Sequence, residues 1–256
     1  MAFGRKSKIQ IKTPEQIQLM RAAGLVVART LEQLKSEIAP GISTLDIDAI
    51  ARENLKKEGA TSSFLGYHGY PAVVCTSVND EVVHGIPNAV KLNDGDLISV
   101  DFGAIVEGWH GDAARTYFVG NVSDDAKKLS AITEKAMWAG IDATVAGARL
   151  SDISHAIEKC IRKDGEWGVV EEYAGHGIGT EMHMYPLVPN YGNPGHGPEL
   201  EIGMTFALEP MVTAKSPDTF VLDDNWTVKT LDGSWASHWE NTVAITENGP
   251  WVLTEL

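Results

Sequence analysis

The sequence predicts an α+β fold built from two similar halves, each with two helices followed by strands. Two observations predict it. First, the helical and strand-like segments of the 256 residues occur twice in the order helix, helix, strands. Second, residues 41–59 and 147–165 align without gaps and share Gly41/Gly147 and Asp46/Asp152. A chance match between two amphipathic helices is the alternative. Two such halves would pack their sheets together, with the helices outside and a cleft between the halves.

The individual elements follow from local patterns. Thr13-Pro14-Glu15 is a helix-start signal, and apolar residues then recur at helical spacing to about residue 37. A second helix is predicted from Ser43-Thr44 to Gly59, and two more near 124–146 and 149–164. Strands are predicted at 72–78, 97–106, 114–120, 169–175, 204–212, 227–231 and 240–246.

The composition excludes several classes of protein. A formal net charge of −14 argues against nucleic-acid recognition. The sequence has no apolar signal segment and no run long enough to cross a membrane. The only cysteines, Cys75 and Cys160, imply no disulfide framework and fit a reducing compartment. We therefore expect a cytoplasmic protein.

Residues 99–120 predict a β-hairpin that carries two aspartates, Asp101 and Asp112. If Glu107-Gly108 forms the turn, Asp112 faces Gly103 and Asp101 lies diagonally beside it; if the turn shifts by one residue, the aspartates are directly opposite. Both registers place the carboxylates on one face, ~5–8 Å apart. Like charges at this distance raise each other's pKa unless a cation lies between them. A metal ion is the simplest explanation, and a solvated face is the alternative.

Three further donors lie where burial is expected. Glu209 interrupts an apolar strand just before Pro210, Glu240 begins another strand, and His176 lies in a glycine-rich bend after a strand. Each alone has an ordinary structural interpretation. Together with the aspartates they give four carboxylates, whose charge balances two divalent ions. Oxygen-rich ligation with one imidazole and no thiolate suits Mn²⁺, Fe²⁺ or Co²⁺ better than a structural zinc site.

A series of motifs then resembles the type I methionine aminopeptidases over about residues 10–252. They are TSVNDEVVHGIPN, SVDFGAIVEGWHGDAART, AGHGIGTEMH, GMTFALEPMV and HWENTVAIT, in this order. The resemblance implies the pita-bread fold, in which pseudo-symmetric halves with antiparallel sheets surround a central metal cleft. It implies one catalytic domain over 1–256, with halves at about 10–120 and 121–252 and a short tail at 1–9. It also implies removal of the N-terminal methionine from nascent proteins and peptides, preferably before a small second residue.

The same resemblance assigns two divalent ions, Co, Mn, Fe or Zn, to the candidate ligands. Asp101 would bind one ion, Asp112 and Glu240 would bridge both, and His176 and Glu209 would complete the second.

The resemblance also assigns catalytic and substrate-binding roles. His84 would lie near the substrate's amine and scissile amide, His183 would stabilise the tetrahedral intermediate, and Glu209 would shuttle a proton. A plain core cluster is the alternative for each residue of the methionine pocket. The pocket candidates are Phe64, Tyr67, Tyr70, Cys75, Met182 and Trp226.

Some features depart from the resemblance or lie outside it. Met184 and Ala174 replace residues common in the family, so contacts to the second substrate residue are expected to differ. A monomer that acts on nascent polypeptides is expected, with transient ribosome contact near Arg5, Lys6 and Lys8. The remaining histidines are interpreted as structural or surface groups. They are His68, His110, His155, His196 and His238.

Two rival functions remain. The first is a proline-directed relative of the same fold, such as aminopeptidase P or prolidase, which usually carries an additional N-terminal domain. The second is a non-catalytic binding protein of this fold, which typically lacks some of the metal ligands.

Overall fold

The computed structural model describes residues 8–256 and has the predicted α+β architecture. Its helices match the expected segments closely. They are α1 (Pro14–Glu37), α2 (Thr44–Glu58), α3 (Asp124–Asp142) and α4 (Leu150–Lys163). Residues 1–7 lie outside the described part, and with them the predicted contact residues Arg5 and Lys6. Within the described part, no helix is both long and apolar enough to cross a membrane.

The strands are mostly short and follow each helix pair. After α2 come β1 (Thr61–Ser62), β2 (Val74–Val78), β3 (Glu81–Val83), β4 (Leu97–Val106) and β5 (Trp109–Phe118). After α4 come β6 (Gly168–Val169), β7 (Gly175–Gly177), β8 (Met184–Val188), β9 (Thr205–Leu208), β10 (Met211–Thr213), β11 (Thr219–Val221), β12 (Val228–Thr230), β13 (Ala236–His238), β14 (Asn241–Thr246) and β15 (Gly249–Val252).

The described strands pair in antiparallel fashion in four sheets. In the first, β4 pairs with β5 on one side and with β1 and β2 on the other. The largest has the order β15-β14-β9-β7-β8. Two three-stranded sheets, β13-β10-β6 and β11-β12-β3, complete the set. The last of these joins an early strand, β3, to two late ones.

The helices cover the sheets from outside and form two main apolar cores. One core includes buried residues of α1 and α2 against β4, such as Leu34, Ile47 and Phe102. The other packs α3 and α4 against β9, with Met137 and Phe206 among its buried members. Helices on the outside and sheets towards the centre are the arrangement that the sequence predicts.

The two aligned segments, 41–59 and 147–165, make equivalent backbone contacts. The amide of Gly41 donates to the carbonyl of Leu92, and the amide of Gly147 donates to that of Leu200. Both glycines have positive φ, 96° and 86°, a conformation in which a Cβ would be strained. These matched contacts support a duplicated unit. The domain boundaries of the two halves stay a prediction.

Two strand predictions were wrong in their extent. Of the predicted strand at 169–175, only Val169 belongs to β6, and His176 lies in the middle of β7 rather than in a bend. The predicted strand at 204–212 is divided into β9 and β10 by Glu209 and Pro210. Proline has no amide hydrogen to donate to a sheet, so it interrupts the pairing there.

Helix α1 approaches the end of the chain so closely that only glycine fits at position 24. A Cβ on Gly24 would overlap the carbonyl oxygen of Leu253. We predict that Gly24→Ala lowers the free energy of unfolding by ~1–3 kcal/mol through overpacking, measured by urea denaturation. Gln18→Ala, at an exposed position of the same helix, is the control. Equal stability of the two variants would contradict the predicted contact.

Candidate metal centre

The hairpin that carries Asp101 and Asp112 has the predicted register in which Glu107-Gly108 forms the turn. Val106 pairs with Trp109, so Glu107 and Gly108 form a two-residue loop, and both have positive φ, 50° and 81°. Positive φ at both central residues is the type I′ geometry that matches the twist of paired strands. Gly103 therefore faces Asp112, and Asp101 pairs with Ala114. The prediction that both carboxylates share one face of the hairpin is confirmed.

Backbone contacts bind this hairpin to β14. The amide of Asp112 donates to Thr242 Oγ1, which in turn donates its hydroxyl hydrogen to the Asp112 carbonyl, at 3.0 and 2.8 Å. The amide of Glu240 donates to the carbonyl of Ala114 at 3.0 Å. The Arg115 guanidinium donates to the Glu240 carbonyl at 2.5 Å. The two acidic segments, far apart in sequence, are thus fixed side by side.

The other predicted donors come from the largest sheet. His176 in β7 pairs with Ala207 in β9, and Glu209 follows β9 directly. The Nε2 atom of His176 lies 3.5 Å from Oε1 of Glu209. Its Nδ1 lies 3.0 Å from the carbonyl oxygen of Gly177. A hydrogen on Nδ1 satisfies that carbonyl and leaves the Nε2 lone pair for a metal ion, a common arrangement for ligating histidines.

Burial dominates the electrostatics of the four carboxylates. It raises the pKa of Asp112 to about 7, and it raises the pKa values of Asp101, Glu209 and Glu240 well above their usual range. Neighbouring carboxylates raise the last three further. Within residues 8–256, no lysine or arginine side chain forms an ion pair with any of the four. Arg115, whose charge favours ionised Glu240, contacts only that residue's backbone.

The buried carboxylate oxygens are arranged to bind a cation rather than to form hydrogen bonds. Asp101 Oδ1, Asp112 Oδ1 and Glu240 Oε1 are buried without hydrogen-bond partners. Burying such groups unpaired is costly, and buried charges are ordinarily paired or coordinate metals. Asp112, His176 and Glu240 each offer a ligand atom within 4.8 Å of the others. The residues present therefore fit divalent ions, as the sequence predicts. Which residue ligates which ion stays a prediction.

The two other candidate catalytic residues, His84 and His183, lie among aromatic rings. His183 Nδ1 is 2.7 Å from the Tyr67 hydroxyl, and its ring centroid is 4.3 Å from that of His176. His84 follows β3 with a φ of 60°, and its ring centroid is 5.5 Å from that of Tyr173 and 6.4 Å from that of Trp226. Burial lowers the pKa of His84 to about 4, so this imidazole is neutral at neutral pH.

The predicted pocket residues form one apolar cluster next to the carboxylates. Cys75 is the strand partner of Asp101, which places the cluster beside the acidic hairpin. Tyr70 and Trp226 pack edge to face, with ring centroids 5.0 Å apart. The sequence prediction had not included Ala72 and Ile86, which join the cluster. Its predicted members are Phe64, Tyr67, Tyr70, Cys75, Met182 and Trp226.

His238 is the residue that sequence reasoning set aside and the structure places among the ligands. Its Nε2 lies 3.5 Å from Glu209 Oε2 and 3.9 Å from Glu240 Oε2. The interpretation of His238 as an ordinary structural or surface group did not anticipate this. The sequence does contain a sign of this position. Residues two apart on an extended chain face the same side, so His238 is expected to face the same side as the candidate ligand Glu240.

The other histidines with no assigned role lie in different settings. His110 Nδ1 contacts Ser63 Oγ at 2.9 Å, and His155 Nδ1 lies 3.3 Å from the Gly192 carbonyl. His68 and His196 are exposed.

A family model, the sequences of relatives and solved structures all indicate the same protein family. The model of metallopeptidase family M24 matches residues 18–247. Methionine aminopeptidase 1 of Mycobacterium tuberculosis (strain CDC 1551 / Oshkosh) is 51% identical over 245 residues, which cover 93% of this chain and 92% of that protein. The crystal structure of methionine aminopeptidase from Thermotoga maritima superposes with a TM-score of 0.95 at 42% identity, covering 97% of this chain and 100% of that chain.

A prolidase shares the fold at lower similarity. Prolidase from Pyrococcus furiosus superposes with a TM-score of 0.77 at 22% identity, covering 96% of this chain and 65% of that chain. This likeness shows the fold alone.

The raised carboxylate pKa values predict how the metal-free protein responds to pH. Because the folded chain binds more protons at Asp112 than the unfolded chain between about pH 4 and about 7, its stability falls as pH rises through this window. We predict that the Tm of chelator-stripped protein falls between pH 5 and pH 7.5, measured by calorimetry. Glu240→Gln should reduce this fall, since it removes one buried acid, whereas exposed Glu53→Gln should leave it unchanged. A Tm that rises over this range would contradict the account.

Proposed function

The chain belongs to metallopeptidase family M24 and, within it, to the methionine aminopeptidases, and we propose that it removes the N-terminal methionine from peptides and nascent proteins, preferably before a small second residue. One observation carries this proposal. A set of two buried and two partly buried carboxylates with buried His176, fit for divalent ions, lies beside an apolar pocket of aromatic and sulfur side chains.

We assign the metal ligands as the sequence predicts. Asp101, Asp112 and Glu240 would hold one ion, and Asp112, His176, Glu209 and Glu240 the other, so Asp112 and Glu240 are shared. Two divalent ions, with Co, Mn, Fe or Zn as candidates, balance the four carboxylates. When bound, such ions activate water as a nucleophile at neutral pH and polarise the scissile carbonyl.

The pocket would select the side chain of the substrate's N-terminal residue. Its aromatic rings and the sulfurs of Cys75 and Met182 suit a thioether, since sulfur–aromatic contacts are favourable. Because Cys75 pairs with Asp101, a side chain in the pocket holds its own backbone near the carboxylates. The positively charged α-amine of a free N-terminus suits this acidic surrounding. These features support removal of a single N-terminal residue.

The neutral imidazoles of His84 and His183 and the carboxylate of Glu209 would act in hydrolysis of the scissile amide. The Tyr67 hydroxyl, whose pKa is raised by burial, lies 2.7 Å from His183 Nδ1, and we assign it as the donor of this hydrogen bond. That contact leaves the hydrogen of His183 on Nε2, where it donates to the oxyanion that develops on the carbonyl. Neutral His84 contacts the scissile amide. Glu209, beside the proposed metal centre, would take a proton from the attacking water and pass it to the leaving amine.

A proline-directed peptidase of the same fold is the second candidate. The structural likeness to prolidase extends to the fold alone, so it gives this activity no specific support. The higher identity to methionine aminopeptidases over nearly the whole of both chains favours methionine release. A non-catalytic binder is the third candidate, and the retention of every predicted ligand argues against it.

The test is methionine release from a Met-Ala-Ser peptide beside an Xaa-Pro peptide. Chelator-stripped protein receives Mn²⁺, Fe²⁺, Co²⁺ or Zn²⁺ in separate reactions. Metal-dependent cleavage of Met-Ala-Ser alone is the expected result and ranks the metals. Cleavage of the Xaa-Pro peptide alone would favour the proline-directed relative, and no cleavage of either peptide by metal-loaded protein would favour the binder.

We further propose that the enzyme is a monomer in the cytoplasm that meets nascent chains through transient contact with ribosomes. The free thiols of Cys75 and Cys160 support a reducing compartment. The net charge of −14 supports a contact limited to a local patch rather than broad binding to nucleic acid.

His183→Ala should lower kcat for Met-Ala-Ser by about 10²–10³-fold, because it removes one donor to the developing oxyanion. Metal content, measured by elemental analysis, should stay that of the unchanged protein, since His183 is not an assigned ligand. His196→Ala, at an exposed loop position, is the control. Full activity of the His183 variant would remove its proposed role.

Trp226→Ala should weaken methionine binding, because it opens the pocket at the edge-to-face contact with Tyr70. We expect KM for Met-Ala-Ser to rise about ten-fold or more, in line with ~1.5–3 kcal/mol for a large buried apolar side chain. Steady-state kinetics measure this, with Trp251→Ala, which packs against a separate apolar cluster, as the control. An unchanged KM would contradict the assignment of Trp226 to the pocket.

A further inference from the structure

The imidazole of His238 is a polar group that the assigned centre does not use. The residue is 2% exposed, and its Nε2 is buried with no hydrogen-bond partner. Leaving a buried nitrogen unpaired destabilises the folded chain, so a partner is expected. Glu209, Glu240 and His238 each offer a ligand atom within 4.8 Å of the others.

The distances around His238 fit coordination better than hydrogen bonding. Its Nε2 lies 3.5 Å from Glu209 Oε2 and 3.9 Å from Glu240 Oε2, beyond the ~2.7–3.2 Å of ordinary N–H···O bonds. Neighbouring ligand atoms held ~2.1 Å from one ion are ~3.0–3.4 Å apart, the range from octahedral to tetrahedral geometry. The assigned ligand pair His176 Nε2 and Glu209 Oε1 shows the same spacing, 3.5 Å.

The backbone holds this imidazole in place. His238 ends β13 and pairs with Met211 of β10. Its amide lies 3.1 Å from Ser99 Oγ and 3.3 Å from Thr116 Oγ1, and its carbonyl accepts from the Thr116 hydroxyl at 2.9 Å. Ser99 and Thr116 belong to β4 and β5, the strands of the acidic hairpin. His238 is therefore fixed to the same framework as Asp101 and Asp112.

We propose that His238 is an additional metal ligand, which joins Glu209 and Glu240 in holding a divalent ion. This inference rests on the metal centre of the proposed function. It adds a nitrogen donor to an otherwise carboxylate-rich set. Imidazole favours Co²⁺ and Zn²⁺ over Mn²⁺, which carboxylate suits better, so His238 biases this position towards the former ions.

The first test removes the imidazole and measures metal binding without substrate. Chelator-stripped protein and its His238→Gln variant are titrated with Co²⁺ and with Mn²⁺ by calorimetry, and the Co²⁺ absorption spectrum is recorded. We expect the variant to bind one of two Co²⁺ ions about ten-fold or more weakly, with a changed ligand-field spectrum and a smaller loss for Mn²⁺. His196→Gln is the matched control. Unchanged affinities and spectrum in the His238 variant would overturn the proposal.

A second test needs no substitution, so it holds even if the variant folds poorly. In the ¹H NMR spectrum of the Co²⁺-loaded unaltered chain, each ligating imidazole gives a strongly shifted, solvent-exchangeable N–H signal. We expect two such signals, from His176 and His238; a single signal would overturn the proposal. Methionine release is assayed separately. Two imidazole signals without methionine release would refute the proposed function and support His238 as a ligand. Methionine release with a single imidazole signal would support the proposed function and refute His238 as a ligand.

Discussion

The structure depends on one constraint, the concentration of four carboxylates, two buried and two partly buried, at one place. In the described part of the chain, no lysine or arginine side chain is paired to them. Burial and mutual repulsion oppose their ionisation. Divalent cations resolve both problems at once, because they replace the lost hydration and neutralise the charge. The same ions turn a destabilising cluster into a centre for amide hydrolysis. Stability and catalysis therefore share one set of residues.

The fold holds this cluster through hydrogen bonds to the backbone of the acidic residues. Asp112 is bound to Thr242 by reciprocal hydrogen bonds, and the backbone of Glu240 contacts both Ala114 and Arg115. His176 lies within a paired strand. Ligands on rigid strands keep their geometry when the ions leave. The proposed methionine pocket adjoins the cluster because Cys75 pairs with Asp101.

Much of this could be predicted because local chemistry decides it. Strand alternation places Asp101 and Asp112 on a common face in either predicted register, and the Glu107-Gly108 turn selects the register that is observed. The caps of α1 and α2 fix both helix starts, with Thr13 and Ser43 as the capping residues. The resemblance to a family supplied the pocket residues, which no spacing rule would have grouped.

Other features depend on partners distant in sequence. Three-residue strands such as β7 have little pattern of their own, so the position of His176 in a strand follows from its pairing with β8 and β9. The joining of β3 to β12 is likewise set by packing between distant segments. His238 was set aside because a single histidine usually has a structural role. Only the three-dimensional structure shows its Nε2 facing Glu209 and Glu240.

The number of divalent ions bound by the folded chain tests the central claim most directly. Chelator-stripped full-length protein is titrated with Co²⁺ by calorimetry at neutral pH, and elemental analysis of the dialysed complex gives the count. The account predicts two ions per chain, each bound with loss of protons from the carboxylates. A folded chain that binds no ion would contradict the claim that the carboxylate cluster is a metal centre, and one that saturates at a single ion would contradict the shared roles of Asp112 and Glu240.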